Sequence, residues 1–160
     1  MKRILVAIDL SDVTGAMLET ASALAAQFEA KLYLVHVAKV PHTYVAHGGG
    51  AQFGFDPAYT ILSRDEIAHQ LRDEHRELQE HGARLEAEGI QVAALLMPGD
   101  PIVKILDEAE KLDVDLIVMG SHGHGAIYEL LVGSVTEGVL RRTRRPVLVV
   151  PSEREPPQSA

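Results

Sequence analysis

The sequence predicts an α/β fold, a parallel sheet packed between helices, and three observations carry the prediction. Apolar runs typical of buried strands alternate along the chain with segments whose apolar residues recur at helical spacing. Turn-forming residues separate the segments. With 160 residues and no compositional break or internal repeat, we expect a single domain over residues 1–150. Such alternation favours parallel strands with helices covering the sheet.

The first elements are a strand, a helix and a second strand. Arg3 to Asp9 is a nearly continuous apolar run, as expected of a strand buried on both faces. Ser11 and Asp12 are expected to cap the helix that follows. A second strand is predicted over Lys31–Val37. The apolar stripe of the helix consists of Met17, Ala21, Leu24 and Phe28.

Residues 38–62 interrupt this alternation. They contain Pro41, His42, His47 and the triplet Gly48–Gly50, and they predict a long flexible loop. Loops of this length often act as lids or binding segments.

A long helix follows this loop and begins with a capping box. Ser63 supplies the capping hydroxyl, and Glu66 lies three residues on. We expect the helix to end near Gly89. Its apolar positions are Ile67, Leu71, Leu78 and Leu85.

The second half continues the alternation. Gln91–Met97 predicts the third strand, and Asp100 is expected to cap a helix that has Pro101 at its first position. Leu116–Met119 predicts a short buried strand. The remaining predicted elements are a helix over Ser134–Arg142, a strand over Pro146–Val150 and a disordered tail over residues 151–160.

Composition limits the classes of function. No apolar run approaches the roughly 20 residues of a membrane helix, so no membrane association is expected. The net charge of −8 argues against nucleic-acid binding, and the basic cluster 141–145 is interpreted as a solvated helix end. The chain has no cysteine, which excludes disulfides and thiol chemistry and agrees with a cytoplasmic location.

The segment from Gly120 to Ser134 gives the clearest chemical signal. It follows a buried strand, contains Gly123 and Gly133, and leads into a helix. Glycines let the backbone approach an anion, and N–H groups at a helix N-terminus point towards it. The segment therefore predicts a phosphate site. A P-loop would end in Gly-Lys-Ser/Thr, and this chain has no such ending.

This pattern resembles the nucleotide signature of universal stress proteins, G-x2-G-x9-G-[ST]. The resemblance covers nearly the whole chain, with Lys2–Ser11 similar to the family's opening strand and Asp113–Val150 to its C-terminal third. It implies a Rossmann-like fold, an open twisted five-stranded sheet in the order 3-2-1-4-5 with helices on both faces. The signature residues are Gly120, Gly123, Gly133 and Ser134.

The resemblance also implies a ligand and where it binds. In that strand order Asp9 and Gly120 face one crevice at the topological switch point, where open α/β sheets bind ligands. Similar proteins place this acid near the ribose and adenine and the residue at Val37 beside the base. ATP is the expected ligand, with Mg²⁺ held through the phosphates and no metal site of protein ligands alone. The candidate nucleotide-binding residues are Ala7, Asp9, Val37, Met119, Gly120, His122, Gly123, His124, Gly133, Ser134, Val135 and Thr136.

The implied function is a nucleotide-dependent stress-response regulator or sensor. No catalytic base or phosphate-binding lysine is evident, so hydrolysis should be slow or absent. Similar proteins form homodimers through their last strand, here Val147–Val150. The alternatives are a dimeric interaction module that needs no nucleotide, and a weak ATPase or phosphotransfer enzyme.

The sequence lacks the motifs of two other classes of α/β protein. A receiver domain needs an aspartate at the end of its third strand, where this chain has Leu96-Met97-Pro98. A nucleotidyltransferase needs His-x-Gly-His after its first strand, where this chain has Asp9-Leu10-Ser11-Asp12.

Three of the candidate residues also have a purely structural interpretation. Ser134 with Glu137 matches a capping box. Gly120 could simply end a strand, and Asp9 could cap the first helix or turn.

Histidines suggest a metal site, but their spacing does not favour one. His69, His75 and His81 are six residues apart, about 600° of helical rotation per step, so they do not share a face. A solvated helix is the favoured interpretation.

Overall fold

A five-stranded parallel sheet organises the described part of the chain. The computed structural model describes residues 1–38, 64–121 and 133–151. The elements are β1 (Arg3–Ile8), α1 (Thr14–Phe28), β2 (Lys31–Ala38), α2 (Arg64–Ala87), β3 (Val92–Pro98), α3 (Pro101–Lys111), β4 (Leu116–Ser121), α4 (Ser134–Leu140) and β5 (Val147–Pro151). The strand order β3-β2-β1-β4-β5 confirms the predicted α/β fold and its topology.

Helices cover both faces of this sheet, and alternate residues along a strand therefore belong to two separate hydrophobic cores. Ile4 and Val6 of β1 pack with residues of α1 and α2, whereas Leu5 packs with residues of α3 and α4. Successive side chains of a strand point to opposite faces. The crossover connections therefore leave two helices on each side, as parallel sheets require.

The first helix begins later than the sequence predicts, and the expected caps are wrong. Val13 occupies the N-cap position, and no side chain caps the helix. The Ser11 hydroxyl instead donates to Asp9 Oδ1 at 2.7 Å. Phe28 is also not part of the buried stripe, since it is 44% exposed in the last turn, just before Glu29 leaves the helix with φ of 49°.

Strand ends differ from the predicted bounds by one or two residues. Ala38 extends β2 and pairs with Pro98, so it does not belong to the predicted loop. Pro151 extends β5 opposite Ser121, so it does not belong to the predicted tail. Pro98 and Pro151 both lie on edge strands, where the missing N–H of proline is tolerated.

The predicted cap of α3 was confirmed, whereas the serine predicted to cap α2 lies outside the described residues. The Asp100 side chain accepts from the Val103 N–H at 2.9 Å, and Pro101 is the first helical residue. Gly89 follows α2 with φ of 85°, the left-handed conformation that ends many helices. Ser63, the loop residues 39–62 and the tail residues 152–160 lie outside the described residues.

Ion pairs join the chain segments at the N-terminal edge of the sheet. Asp113 forms ion pairs with Arg3 at 3.0 Å and with Arg145 at 2.9 Å. Asp115 accepts the backbone N–H groups of Lys2 and Arg3 at 2.6 and 2.9 Å, and these bonds lower its pKa. Arg145, the last residue of the basic cluster 141–145, thus connects the segment before β5 to the turn before β4.

Candidate functional site

A crevice opens at the carboxyl edge of the sheet, where β1 and β4 lie side by side. Its volume is about 360 Å³, within the range of small-molecule sites. This is the switch point of the fold, because the chain leaves β1 for β2 on one side and reaches β4 and β5 on the other.

Every candidate residue in the described part of the chain lines this crevice. They come from the ends of β1, β2 and β4 and from the first turn of α4. His122, Gly123 and His124 lie outside the described residues. Those that line the crevice are Ala7, Asp9, Val37, Met119, Gly120, Gly133, Ser134, Val135 and Thr136.

The floor of the crevice is apolar, with a small side chain at its middle. Ala7 is in register with Val35 on one side and Met119 on the other, and all three side chains share one sheet face. Since Ala7 has a single methyl group between two larger neighbours, it leaves the space that a flat apolar group can enter. Val37 extends this surface by one position along the same face of β2.

Asp9 sits at the mouth in a tight turn after β1. Its Oδ1 accepts from the Ser11 hydroxyl at 2.7 Å and from the Ser11 N–H at 3.3 Å. Leu10, which lies between Asp9 and Ser11, has a backbone φ of 59°, which is uncommon for a residue other than glycine. The turn role that the sequence left open is therefore present, and Asp9 also lines the crevice.

Gly120 has a packing role that its sequence pattern does not reveal. A Cβ atom there would lie 2.8 Å from Val13 Cγ1 and 3.0 Å from Met17 Sδ. The glycine thus lets the start of α1 lie directly against the end of β4. The Thr136 hydroxyl donates to the Gly120 carbonyl at 3.0 Å, which fixes the first turn of α4 against the same strand end.

Ser134 has no capping role, so the capping-box interpretation is wrong. The N-cap position is Gly133, which has no side chain to bond to the helix start. The Ser134 side chain is exposed at the crevice instead. Within the described lining, Asp9 is the one titratable side chain.

Sequence reasoning missed part of the lining. Val35 could have been found from strand alternation, since it shares the face of Val37. The residues from α1 and α3 approach only through tertiary packing, which no local pattern indicates. The additional lining residues are Ile8, Val13, Met17, Val35, Pro101 and Ile105.

The histidines of α2 do not gather into a site. His69 pairs with Asp73 on the same helix at 2.8 Å, and His81 lies 4.0 Å from Glu77. Among residues 1–38, 64–121 and 133–151, no three His, Asp or Glu side chains are arranged to hold a metal ion. The helices described there include none that is long and apolar enough to cross a membrane.

Comparison with known proteins identifies the family of this architecture. The profile of the Universal stress protein family matches residues 1–151. Universal stress protein YxiE of Bacillus subtilis is 32% identical over 149 residues, which are 92% of this chain and 97% of the relative.

Solved structures share the fold. The structure of MJ0577, a universal stress protein of Methanocaldococcus jannaschii, superposes with a TM-score of 0.71 at 27% identity and covers 96% of this chain and 98% of its own. A universal stress protein from Archaeoglobus fulgidus, solved in complex with dAMP, has a TM-score of 0.61 at 22% identity and covers 93% and 97%.

Proposed function

The chain belongs to the universal stress protein family, and from that premise we propose that it binds ATP in the crevice and acts as a nucleotide-dependent regulator of the stress response. One observation carries the proposal: all described members of the candidate set, chosen from sequence, line the same crevice. Support for the ligand comes from this chain's own residues, because the Archaeoglobus fulgidus protein solved with dAMP is 22% identical to it.

The chemistry of the lining suits an adenine nucleotide. The apolar side chains of Ala7, Val37 and Met119 offer a contact surface for a base. Asp9 supplies a carboxylate at the mouth for ribose hydroxyls, and the exposed Ser134 hydroxyl supplies a donor at the start of α4. We place the phosphates along that segment, with Mg²⁺ held through their oxygens.

Slow or absent hydrolysis is part of the proposal. Asp9 is the one ionisable group in the described lining, and one of its oxygens already accepts from Ser11. Efficient phosphoryl transfer needs positioned cations and a group that orients the attacking water. Binding and release of nucleotide, rather than turnover, would then carry the signal.

The main test fills the crevice floor. Ala7→Leu places a branched side chain between Val35 and Met119, so we expect calorimetry to show at least a tenfold loss of ATP affinity, in the presence of magnesium. Ala23→Leu, the same substitution at an exposed position of α1, is the matched control and should bind normally. Melting curves without nucleotide verify that both variants fold. A folded Ala7→Leu protein with unchanged affinity would contradict the site.

Released nucleotide gives an independent measurement. Denaturing the purified protein and analysing the supernatant by mass spectrometry should yield an adenine nucleotide. If none is released and wild-type protein gives no heat with ATP, the family fold here serves as an interaction module without nucleotide.

Ser134→Ala separates binding from capping. Because the Ser134 side chain makes no cap, its loss should leave the melting temperature unchanged. We expect the affinity for ATP to fall by roughly tenfold, which corresponds to one hydrogen bond to a charged group. A fall in stability with normal affinity would favour the capping interpretation.

A homodimer in the cytoplasm completes the proposal. β5 is an edge strand, and Val147, Leu148 and Val149 on it remain partly exposed. An apolar edge of this kind needs a cover, which a second copy can provide. Light scattering with and without ATP measures the assembly, and cell fractionation measures the location.

A further inference from the structure

We propose that His36 and Glu74 form a buried imidazolium–carboxylate pair that positions the ends of β1 and β2 at the crevice. Neither residue lines the crevice, and neither has a part in the function proposed above. The expected effect on ATP rests on that function, whereas the protonation state of the pair does not.

One ring nitrogen of His36 must carry a proton. His36 lies on β2 and is 7% exposed, and its Nδ1 is 2.9 Å from the carbonyl oxygen of Ile8. A carbonyl oxygen accepts hydrogen bonds and cannot donate them. Nδ1 is therefore the donor, which fixes half of the ring's protonation state.

The other ring nitrogen faces a carboxylate. His36 Nε2 is 3.3 Å from Glu74 Oε2 on α2, and both atoms are buried without a hydrogen-bond partner in the described part of the chain. The contact is within ion-pair distance, although its direction is not that of a well-aligned hydrogen bond. Glu74 Oε1 accepts from the Gln70 side-chain amide at 2.8 Å.

A proton between Nε2 and Oε2 makes this contact favourable. Without it, a nitrogen lone pair would face a carboxylate oxygen in a buried region, which costs the desolvation of both groups with no compensating bond. The register partners of His36, Ile8 on β1 and Leu96 on β3, are apolar and supply no other charge. In the proposed arrangement an imidazolium donates from Nδ1 to the Ile8 carbonyl and presents its Nε2–H to an ionised Glu74.

The pair connects three elements at the edge where the crevice opens. Ile8 lines the crevice and directly precedes Asp9. Val37, which directly follows His36, lines it too. The ring therefore links the terminal carbonyl of β1 to the strand that carries Val37, and Glu74 holds the ring from α2. Loss of this link should change the spacing of Asp9 and Val37.

The protonation state can be measured without nucleotide. In ¹⁵N NMR the two nitrogens of an imidazolium have similar shifts, whereas an unprotonated nitrogen lies far downfield. We expect the imidazolium pattern for His36 at neutral pH in wild type, and a neutral ring with unprotonated Nε2 in Glu74→Gln. A neutral His36 ring in wild type would overturn the pair.

Affinity tests the positioning role. Glu74→Gln should weaken ATP binding in calorimetry by roughly three- to tenfold, the usual size of coupling through a positioned neighbour. Glu77→Gln removes the same charge from an exposed position of the same helix and should leave affinity unchanged. Equal effects of the two variants, or unchanged affinity in Glu74→Gln, would refute the positioning role.

The two proposals fail in different ways. If wild-type protein does not bind ATP, the proposed function is wrong, and the NMR pattern of His36 still decides whether the pair exists. Melting temperatures of the variants distinguish a local change at the crevice from global unfolding.

Discussion

Gly120→Ala tests whether this glycine is needed for packing as well as for an approach to phosphate. The added methyl would lie 2.8 Å from Val13 Cγ1 and 3.0 Å from Met17 Sδ. Carbon atoms in contact are usually about 3.5–4.0 Å apart, so the overlap with Val13 is roughly 1 Å. Val13 and Met17 are 3% and 1% exposed, and both side chains would have to shift to admit the methyl group.

The magnitude follows from two opposing effects. Overpacking a closed core costs about 1–3 kcal/mol. Replacing glycine by alanine restricts the unfolded chain and returns about 0.4–1 kcal/mol. We therefore expect Gly120→Ala to lower the free energy of unfolding by about 1 kcal/mol, a fall in melting temperature of roughly 2–4 °C for a domain of this size.

Gly15→Ala is the matched control, because it lies on α1 and a Cβ there meets no atom within 4 Å. It should raise the melting temperature, since alanine is the better helix former by about 1 kcal/mol. The assay is thermal and urea unfolding without nucleotide. A melting temperature that rises in Gly120→Ala as it does in Gly15→Ala would refute the packing argument.

Three further predictions concern the scaffold. Gly82→Ala in α2 should stabilise by about 0.5–1 kcal/mol, since its Cβ would make ordinary contacts of 3.7 and 3.8 Å; a lower urea midpoint would contradict this. Asp100→Ala should cost about 1 kcal/mol through loss of the α3 cap, measured by the same unfolding curves. Backbone N–H groups lower the pKa of Asp115, so the stability it contributes is complete above its unfolded pKa and is lost as pH falls through the lower folded value. Asp115→Asn should therefore be less stable than wild type at neutral pH, and the difference should shrink below about pH 4; a constant difference would count against the carboxylate.

Much of the architecture could be read from local patterns. Strands buried on both faces appear as continuous apolar runs, and β1 and β4 were recognisable as short runs of this kind between turn signals. Asp100 and Pro101 marked the start of α3 because capping depends on neighbours within one turn. Strand order came from resemblance to a family, since periodicity carries no information on which strands are neighbours.

Two side chains at the ends of α1 have roles that differ from those their local pattern predicts. Ser11 looks like a helix cap, but its hydroxyl bonds to Asp9, and α1 begins three residues later. Phe28 fits the apolar stripe of α1, but its side chain is 44% exposed, whereas Ala25 in the same turn is buried.

Local patterns and the family resemblance were enough to predict an α/β protein of the universal stress protein family, with a glycine signature that begins at the end of its fourth strand. Long-range packing was needed to reveal that Gly120 makes room for α1 and that His36 lies between the end of β1 and Glu74. These contacts join residues 28 to more than 100 positions apart in the chain. Local patterns record the period of an element and the chemistry of its ends, whereas the fold alone sets which side chains meet across the sheet.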